Sequence, residues 1–488
     1  MEVNYRWKKH YKTAKYPIRQ PKWLTWVIWI LSKFALIGKN YKLETIDMEG
    51  LEPPYIIFSN HMAFIDFELA AMVTHPRRVN NVVNIDGYHM MPWLLTWIGS
   101  ICTRKFTNDL HLVKSVRRVV QNGDILCMYP EARYTPIGTT SFLPDSLGRL
   151  VKMNKVPLVV VTHHGNYLYS PFWAYKNKRK VPMHTVFRQV LTAQQVESMS
   201  VDEINAVIRS AMEYDEYRYQ LENGIRITEP NRAEGLQKVL YQCPHCHTEF
   251  QMGTKGMEIF CNHCGKRWTM LENGQLQAVE GETEFPHIPD WFEWEREQVR
   301  QQILRGEYSY EDEVDVYSFP RCYRFIPLGK AKVHHDFETG FTIDSHYRGQ
   351  DYHIHRPPKG MNSLHVEYDF HRFRKENCFD ISTETDSFYC YPTNPDIIPN
   401  WPLPRRRSIS SKNPQKSEPT LKKDNKRPGT GFVQLTLPIP GFVSVVGLAG
   451  FLLSGDGIQF APGLPLCLIQ LPLFLFGKLL VGNKFFHK

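Results

Sequence analysis

Asn60-His61-Met62-Ala63-Phe64-Ile65-Asp66 holds a histidine and an aspartate five positions apart, directly after the apolar run Tyr55-Ile56-Ile57-Phe58. A short buried strand that empties into a polar turn can present a catalytic base. The residues that follow, Phe67 to Val73, have apolar positions at helical spacing. An aspartate in the first turn of that helix can accept a hydrogen bond from one ring nitrogen of His61. This fixes the tautomer and leaves the other nitrogen free to take a proton from a hydroxyl. The second reactive set is Cys243-Pro-His-Cys246 and Cys261-Asn-His-Cys264, separated by fourteen residues. Two such knuckles supply four thiolates, the ligand set of a zinc ribbon with a closed tetrahedral site. No ligand position is left open, so the expected Zn2+ is structural and no catalytic cofactor is expected.

Three further segments accompany the His-Asp pair. Gly99-Ser-Ile-Cys-Thr-Arg104-Lys105 ends in two cations that could hold a phosphate, the arginine in a bidentate manner. Tyr129-Pro130-Glu131-Ala132-Arg133 follows the apolar run Ile125 to Met128, and Val156-Pro157-Leu158-Val159-Val160-Val161 reads as another buried strand. His163 and His164 are expected in a polar turn at the end of that strand.

The four segments, in this order, resemble the glycerolipid acyltransferase family, best known for the 1-acylglycerol-3-phosphate acyltransferases. That family carries Asn-His-x4-Asp, then Gly-x4-Arg, then Phe-Pro-Glu-Gly-Thr-Arg, then a Val-Pro-rich strand. The first two blocks match at His61 and Asp66 and at Gly99 and Arg104. The third matches at Pro130 and Glu131 but reads Ala132-Arg133, which brings the arginine one place early. The fourth matches at Pro157 and has Val161 where a second proline is common. The resemblance spans about residues 20–225. It implies transfer of a fatty acyl group from acyl-CoA or acyl-carrier protein to the free hydroxyl of lysophosphatidic acid, giving phosphatidic acid in phospholipid synthesis. His61 would be the base and Asp66 its orienter, with no enzyme nucleophile. Arg104, with Lys105, would hold the acceptor phosphate, and Glu131 and Arg133 would shape the acceptor side. Another lysophospholipid or alcohol acceptor stays open, as does a non-catalytic lipid- or protein-binding scaffold that keeps the fold.

The elements that must position these residues alternate. Strands are expected at 55–58, 125–129 and 156–161, and helices at about 65–75, 109–122 and 144–154. Such alternation predicts an α/β domain with a mixed, largely parallel sheet and flanking helices. Ser200-Val-Asp-Glu203 is a capping box that opens one long helix to about Glu222, and Asp290 is expected to cap a charged helix to about Leu304. A small β-rich domain follows the ribbon, and no internal repeat is visible.

The expected organisation is a basic, interfacial membrane-associating segment at 1–39 and the α/β acyltransferase domain at 40–235. The zinc ribbon follows at 236–280 and a helical connector at 281–310. The β-rich domain occupies 311–400, a basic disordered linker 401–431 and an apolar tail 432–488.

The chain has 488 residues and a net charge of +9, with seven basic residues and one acid before Trp23. This favours an anionic partner. Trp23, Trp26 and Trp29 recur within an apolar segment flanked by Lys22, Lys33 and Lys39. The segment reads as a monotopic helix on an anionic membrane surface, at a cytoplasmic face, and is too short to span comfortably. Packing on the protein's own core is the competing expectation. Few basic residues surround the ribbon, which argues against nucleic acid.

Overall fold

The computed structural model describes residues 19–107, 109–320, 325–358, 364–368, 370 and 376–393. The basic lead-in before Arg19, the basic linker and the apolar tail lie outside the described residues.

The first sheet has seven strands: β1 (Tyr41–Ile46), β2 (Ile56–Ser59), β3 (Val79–Asn84), β4 (Ile101–Thr103), β5 (Ile125–Met128), β6 (Leu158–His164) and β7 (Met183–Leu191). Their spatial order is β1-β7-β6-β2-β5-β3-β4. All pairings are parallel except β6 with β7. The central strands carry unbroken apolar runs, Ile56–Phe58, Ile125–Met128 and Leu158–Val161, because helices cover both faces. On one face Ile56, Phe58, Leu126 and Val160 pack with Val116, Val119, Leu147 and Ile204 from three helices. On the other, Ile57, Cys127, Val159 and Phe187 meet Ala70 and Val73 of the helix Asp66–Thr74. The strands β1, β3, β4 and β7 carry polar residues or are very short, which hides them from a search for apolar runs. His163 and His164 lie within β6 itself and not in a turn after it, because the antiparallel partner β7 extends the ladder through both.

The expected single helix from Ser200 to Glu222 is two helices, Val201–Ala211 and Glu216–Glu222. The capping box at Ser200 and Glu203 is present. The break has a local cause: the Asp215 side chain accepts from Arg218 N and caps a new helix. The helix after the ribbon runs from Ile288 to Arg305 with His287 at its N-cap, so Asp290 lies in the first turn and does not cap it.

The ribbon is a four-stranded antiparallel sheet: β8 (Met252–Lys255), β9 (Glu258–Cys261), β10 (Arg267–Met270) and β11 (Leu276–Ala278). A second seven-stranded sheet follows, wholly antiparallel: β12 (Ser309–Ser318), β13 (Ile326–Asp336), β14 (Gly340–Tyr347), β15 (Gln350–Arg356), β16 (His365–Glu367), β17 (Cys378–Ser382) and β18 (Ser387–Pro392). This sheet shares a core with the first domain. Ile85 and Tyr88 pack with Phe319, Phe325, Cys378, Tyr389 and Tyr391. Full burial of a large apolar side chain contributes about 1.5–3 kcal/mol, so separating the two would expose several such contributions at once.

Candidate active site

His61, Tyr129 and His163 all sit at or just past the carboxyl ends of the adjacent parallel strands β2, β5 and β6. Open α/β sheets bind ligands at that end. His61 Nδ1 lies 3.2 Å from Asp66 Oδ2. The same oxygen accepts from Met62 N at 2.7 Å and Ala63 N at 3.1 Å, and Oδ1 accepts from Asn166 Nδ2 at 2.7 Å. Asp66 is fully buried, which opposes its charge. The surrounding histidines and the Asn166 amide nevertheless hold its carboxyl below the ordinary value. His163 is itself pushed down to about 4 by burial and is neutral near pH 7. Around neutrality the charge of Asp66 therefore depends on its hydrogen bonds to His61, Asn166 and the two backbone amides. An ionised carboxylate can only accept, so Nδ1 carries the proton and Nε2 is left as the base.

The His61 ring is clamped between Tyr129, at 4.0 Å, and Tyr134, at 3.9 Å, both stacked on it. Burial raises both phenols well above their ordinary values, so both rings stay neutral. Thr135 N donates to His61 O at 2.8 Å and ties the two turns together. Asn60 closes the floor: its side chain donates to His163 O at 3.1 Å and accepts from His163 N at 2.9 Å. This clamp fixes the position of the imidazole on both faces and at one nitrogen.

Glu131 is 2% exposed and accepts from Ser141 N at 2.7 Å and from the Tyr214 hydroxyl at 2.9 and 3.0 Å. Burial pushes its carboxyl up to about 7, against those bonds. Tyr214 lies in the break between the two helices noted above, so that break brings the phenol to Glu131. Glu131 thus holds the turn in shape from inside. Ala132 beside it has φ +56°, in the left-handed region. There an alanine costs roughly 1–2 kcal/mol. Ala132→Gly is expected to stabilise the fold by about 1 kcal/mol, as a higher thermal midpoint. An unchanged or lower midpoint would contradict this.

Arg104, Lys105 and Arg133 all meet the antiparallel sheet. The Arg104 guanidinium donates to Pro320 O and, at 3.4 Å, to Glu384 O. Arg133 Nη1 donates to Leu364 O at 3.2 Å. Lys105 Nζ lies 2.6 Å from His365 Nε2 and 3.5 Å from Glu367 Oε1. His365 in turn pairs through Nδ1 with Asp380. Burial works against the Lys105 charge, but Asp86, Glu367 and Asp380 outweigh it and raise the ammonium above its ordinary value.

Tyr129, Tyr134, Asn166, His163 and Tyr214 contact the candidate residues, and the sequence alone does not mark them as site residues. Tyr129 and Tyr134 flank the Glu131 block, and that adjacency was the available signal. Asn166 and Tyr214 reach their partners across 100 and 83 positions, and neither carries a local signal.

Glu68, two residues after Asp66 in the same helix, is 5% exposed, and its Oε2 has no hydrogen-bond partner among the described residues. Burial first, with the Asp66 charge adding, pushes its carboxyl up from 4.5 to about 7. A carboxyl raised in this way favours folding most below its unfolded value, and the advantage is lost as pH rises from 4.5 to about 7. Glu68→Gln is therefore expected to raise stability at pH 8 by on the order of 3 kcal/mol relative to its effect at pH 4. Denaturant titration at the two pH values measures this, and a pH-independent difference would refute it.

The four ribbon thiols converge from the loop at Cys243 and Cys246 and from the end of β9 at Cys261 and Cys264. Their sulfurs lie within 4.8 Å of one another, with Cys243 to Cys264 at 3.8 Å and Cys246 to Cys261 at 3.7 Å. A tetrahedron with metal–sulfur bonds of about 2.3 Å has sulfur–sulfur edges of about 3.8 Å. The thiols therefore fit one tetrahedral metal ion.

No protein-family model and no curated protein matches the chain. Among solved structures it is similar to the crystal structure of the 1-acyl-sn-glycerophosphate (LPA) acyltransferase PlsC from Thermotoga maritima. That similarity has 13% identity and a TM-score of 0.34 and covers 39% of this chain and 78% of that one.

Proposed function

We propose that this protein is an acyltransferase that moves a fatty acyl group from a thioester, acyl-CoA or acyl-carrier protein, to a lipid hydroxyl. The observation that carries the reading is His61, held at Nδ1 by a buried, ionised Asp66 and stacked between two neutral tyrosines, with Nε2 left to act. His61 Nε2 takes the acceptor's hydroxyl proton as its oxygen attacks the thioester carbonyl. The tetrahedral intermediate collapses, the carbon–sulfur bond breaks, and the leaving thiolate takes the proton back from the imidazolium. The acceptor implied by the sequence resemblance is 1-acylglycerol-3-phosphate, which would yield phosphatidic acid. A different hydroxyl acceptor is the second reading, favoured by the contacts that Arg104, Lys105 and Arg133 make with the antiparallel sheet. Release of free thiol from acyl-CoA by the purified protein, dependent on an added acceptor, tests the activity. No acceptor-dependent release would overturn it.

The proposed location is the cytoplasmic face of a membrane, peripheral or monotopic. Among the described residues no helix is long and apolar enough to cross a membrane. The helix Lys22–Ala35 buries Leu24, Thr25, Leu31 and Ser32 and turns Trp23, Trp26, Ile30 and Phe34 outward, each between 44 and 63% exposed. Trp23 packs edge-on against Trp97, itself exposed, and Phe64 in the His61 turn is also exposed. These side chains would seat the site against the bilayer surface from which a lipid acceptor comes. Trp26→Glu with Phe34→Glu is expected to weaken sedimentation with phosphatidylglycerol vesicles at least about tenfold. Unchanged sedimentation would refute the docking face.

The metal proposed for the four thiolates is Zn2+, held by Cys243, Cys246, Cys261 and Cys264. It would supply folding energy to a module too small to keep its own core.

A further inference from the structure

All three cations that would capture a phosphate are ligated by the antiparallel sheet and its loops. Arg104 is held by the carbonyl oxygens of Pro320 and Glu384, and Arg133 by that of Leu364. Lys105 is held by His365 and Glu367. A phosphate monoester bound by these cations would have to replace those oxygens and the imidazole.

The charges argue in the same direction. Lys105 faces three acids, Asp86, Glu367 and Asp380. His365 stands between them, with Nδ1 against Asp380 and Nε2 2.6 Å from Lys105 Nζ. A dianionic phosphate placed at Lys105 would displace Glu367 and lie beside the remaining carboxylates.

The sheet is also close to the base. Tyr368, next to β16, packs on Phe172 at 5.4 Å, Phe172 on Tyr134 at 5.2 Å, and Tyr134 on His61. Withdrawal of the sheet is not an economical way to free the cations, because Phe319, Tyr389 and Tyr391 are buried in a core shared with Ile85 and Tyr88. Two more bonds cross the same junction: Tyr389 Oη donates to Asp86 at 3.2 Å and Arg356 Nη2 donates to Phe106 O at 2.6 Å.

We propose that the antiparallel sheet is a permanent wall on the acceptor side of this site, and that it selects a hydroxyl carried by an uncharged glycerolipid over one carried by a phosphate monoester. The inference rests on the acyl-transfer reading above and names its acceptor class. Selection works by withholding: Arg104, Lys105 and Arg133 each already hold groups of the protein, and the carboxylates around Lys105 repel a dianion. Glu367 is the specificity-determining residue of the set, because its carboxylate is the one that a phosphate at Lys105 must replace.

The test compares kcat/KM of the full-length protein for 1-monoacylglycerol and lysophosphatidic acid of the same chain length, in mixed micelles with one acyl-CoA. Monoacylglycerol is expected to be favoured at least about tenfold. Glu367→Gln, which weakens the hold on Lys105 that a phosphate must displace, is expected to narrow that ratio at least about threefold by raising turnover of lysophosphatidic acid. Equal or better use of lysophosphatidic acid by the unaltered protein overturns the proposal, and so does an unchanged ratio in a folded Glu367→Gln protein. If that variant does not fold, the ratio in the unaltered protein decides alone. Acylation of neither acceptor overturns acyl transfer itself, an outcome distinct from a reversed preference.

Discussion

His61→Ala is expected to lower acyl transfer by about a thousandfold or more, with the fold intact. General-base catalysis contributes roughly a hundredfold to ten-thousandfold, and no serine or cysteine nucleophile is proposed to take over. The imidazole is 21% exposed and packs on two tyrosine rings, so its removal leaves a small gap at the surface of the site and not a hole in the core. Asp66→Asn is expected to be nearly as damaging, for a different reason. Oδ2 of Asp66 accepts three bonds and Oδ1 a fourth. An amide has only one accepting oxygen, so one face of the side chain would point N–H groups at N–H donors. The ring would turn, and His61 would lose the partner that fixes its tautomer. Circular dichroism and a thermal melt separate the two effects, since His61→Ala should melt near the unaltered protein and Asp66→Asn below it. Acyl transfer retained in folded His61→Ala would sink the mechanism.

Cys261→Ser is expected to abolish metal binding by the four-thiol site and unfold the ribbon, lowering the thermal midpoint by more than about 10 °C. The ribbon strands are three or four residues long, and its core is a handful of side chains such as Ile259, Trp268 and Met270. A structural zinc site supplies on the order of 10 kcal/mol to such a module. The damage should spread. Trp268 stacks edge-on against Trp291 at 5.0 Å, and the knuckle is tied to the same helix by Gln242 N to Glu295 and by Trp291 Nε1 to Gln242 O, each at 2.9 Å. That helix leads into the antiparallel sheet that faces the site, so loss of metal is also expected to lower activity. Metal analysis of the purified protein, expected to give one zinc per chain, and a red shift of tryptophan emission in the variant measure this. Equal metal content and midpoint in the variant would refute it.

What could be read from the sequence was whatever is local. The His61–Asp66 spacing lies within one strand-end turn and the first turn of a helix, so its geometry follows from short-range backbone preferences. Each Cys-x2-Cys knuckle is likewise a single turn. Apolar runs mark the central strands β2, β5 and β6, because the part of a strand that is covered on both faces is apolar at successive positions, and polar residues such as Ser59 and His163 come only toward the carboxyl ends. The strands β1, β3, β4 and β7 escaped because partly exposed or very short strands carry no such run.

Tertiary structure alone decided what these groups face. Asn166 joins Asp66, Tyr214 joins Glu131, and Leu364, His365 and Pro320 meet Arg133, Lys105 and Arg104 across more than 200 positions. The sequence read Arg104 and Lys105 as cations free to hold a phosphate. In the folded chain they are already ligated. A side chain's type states what it can bind, but the groups that claim it are chosen by the packing of distant segments around a shared core, and no spacing along the chain encodes that choice.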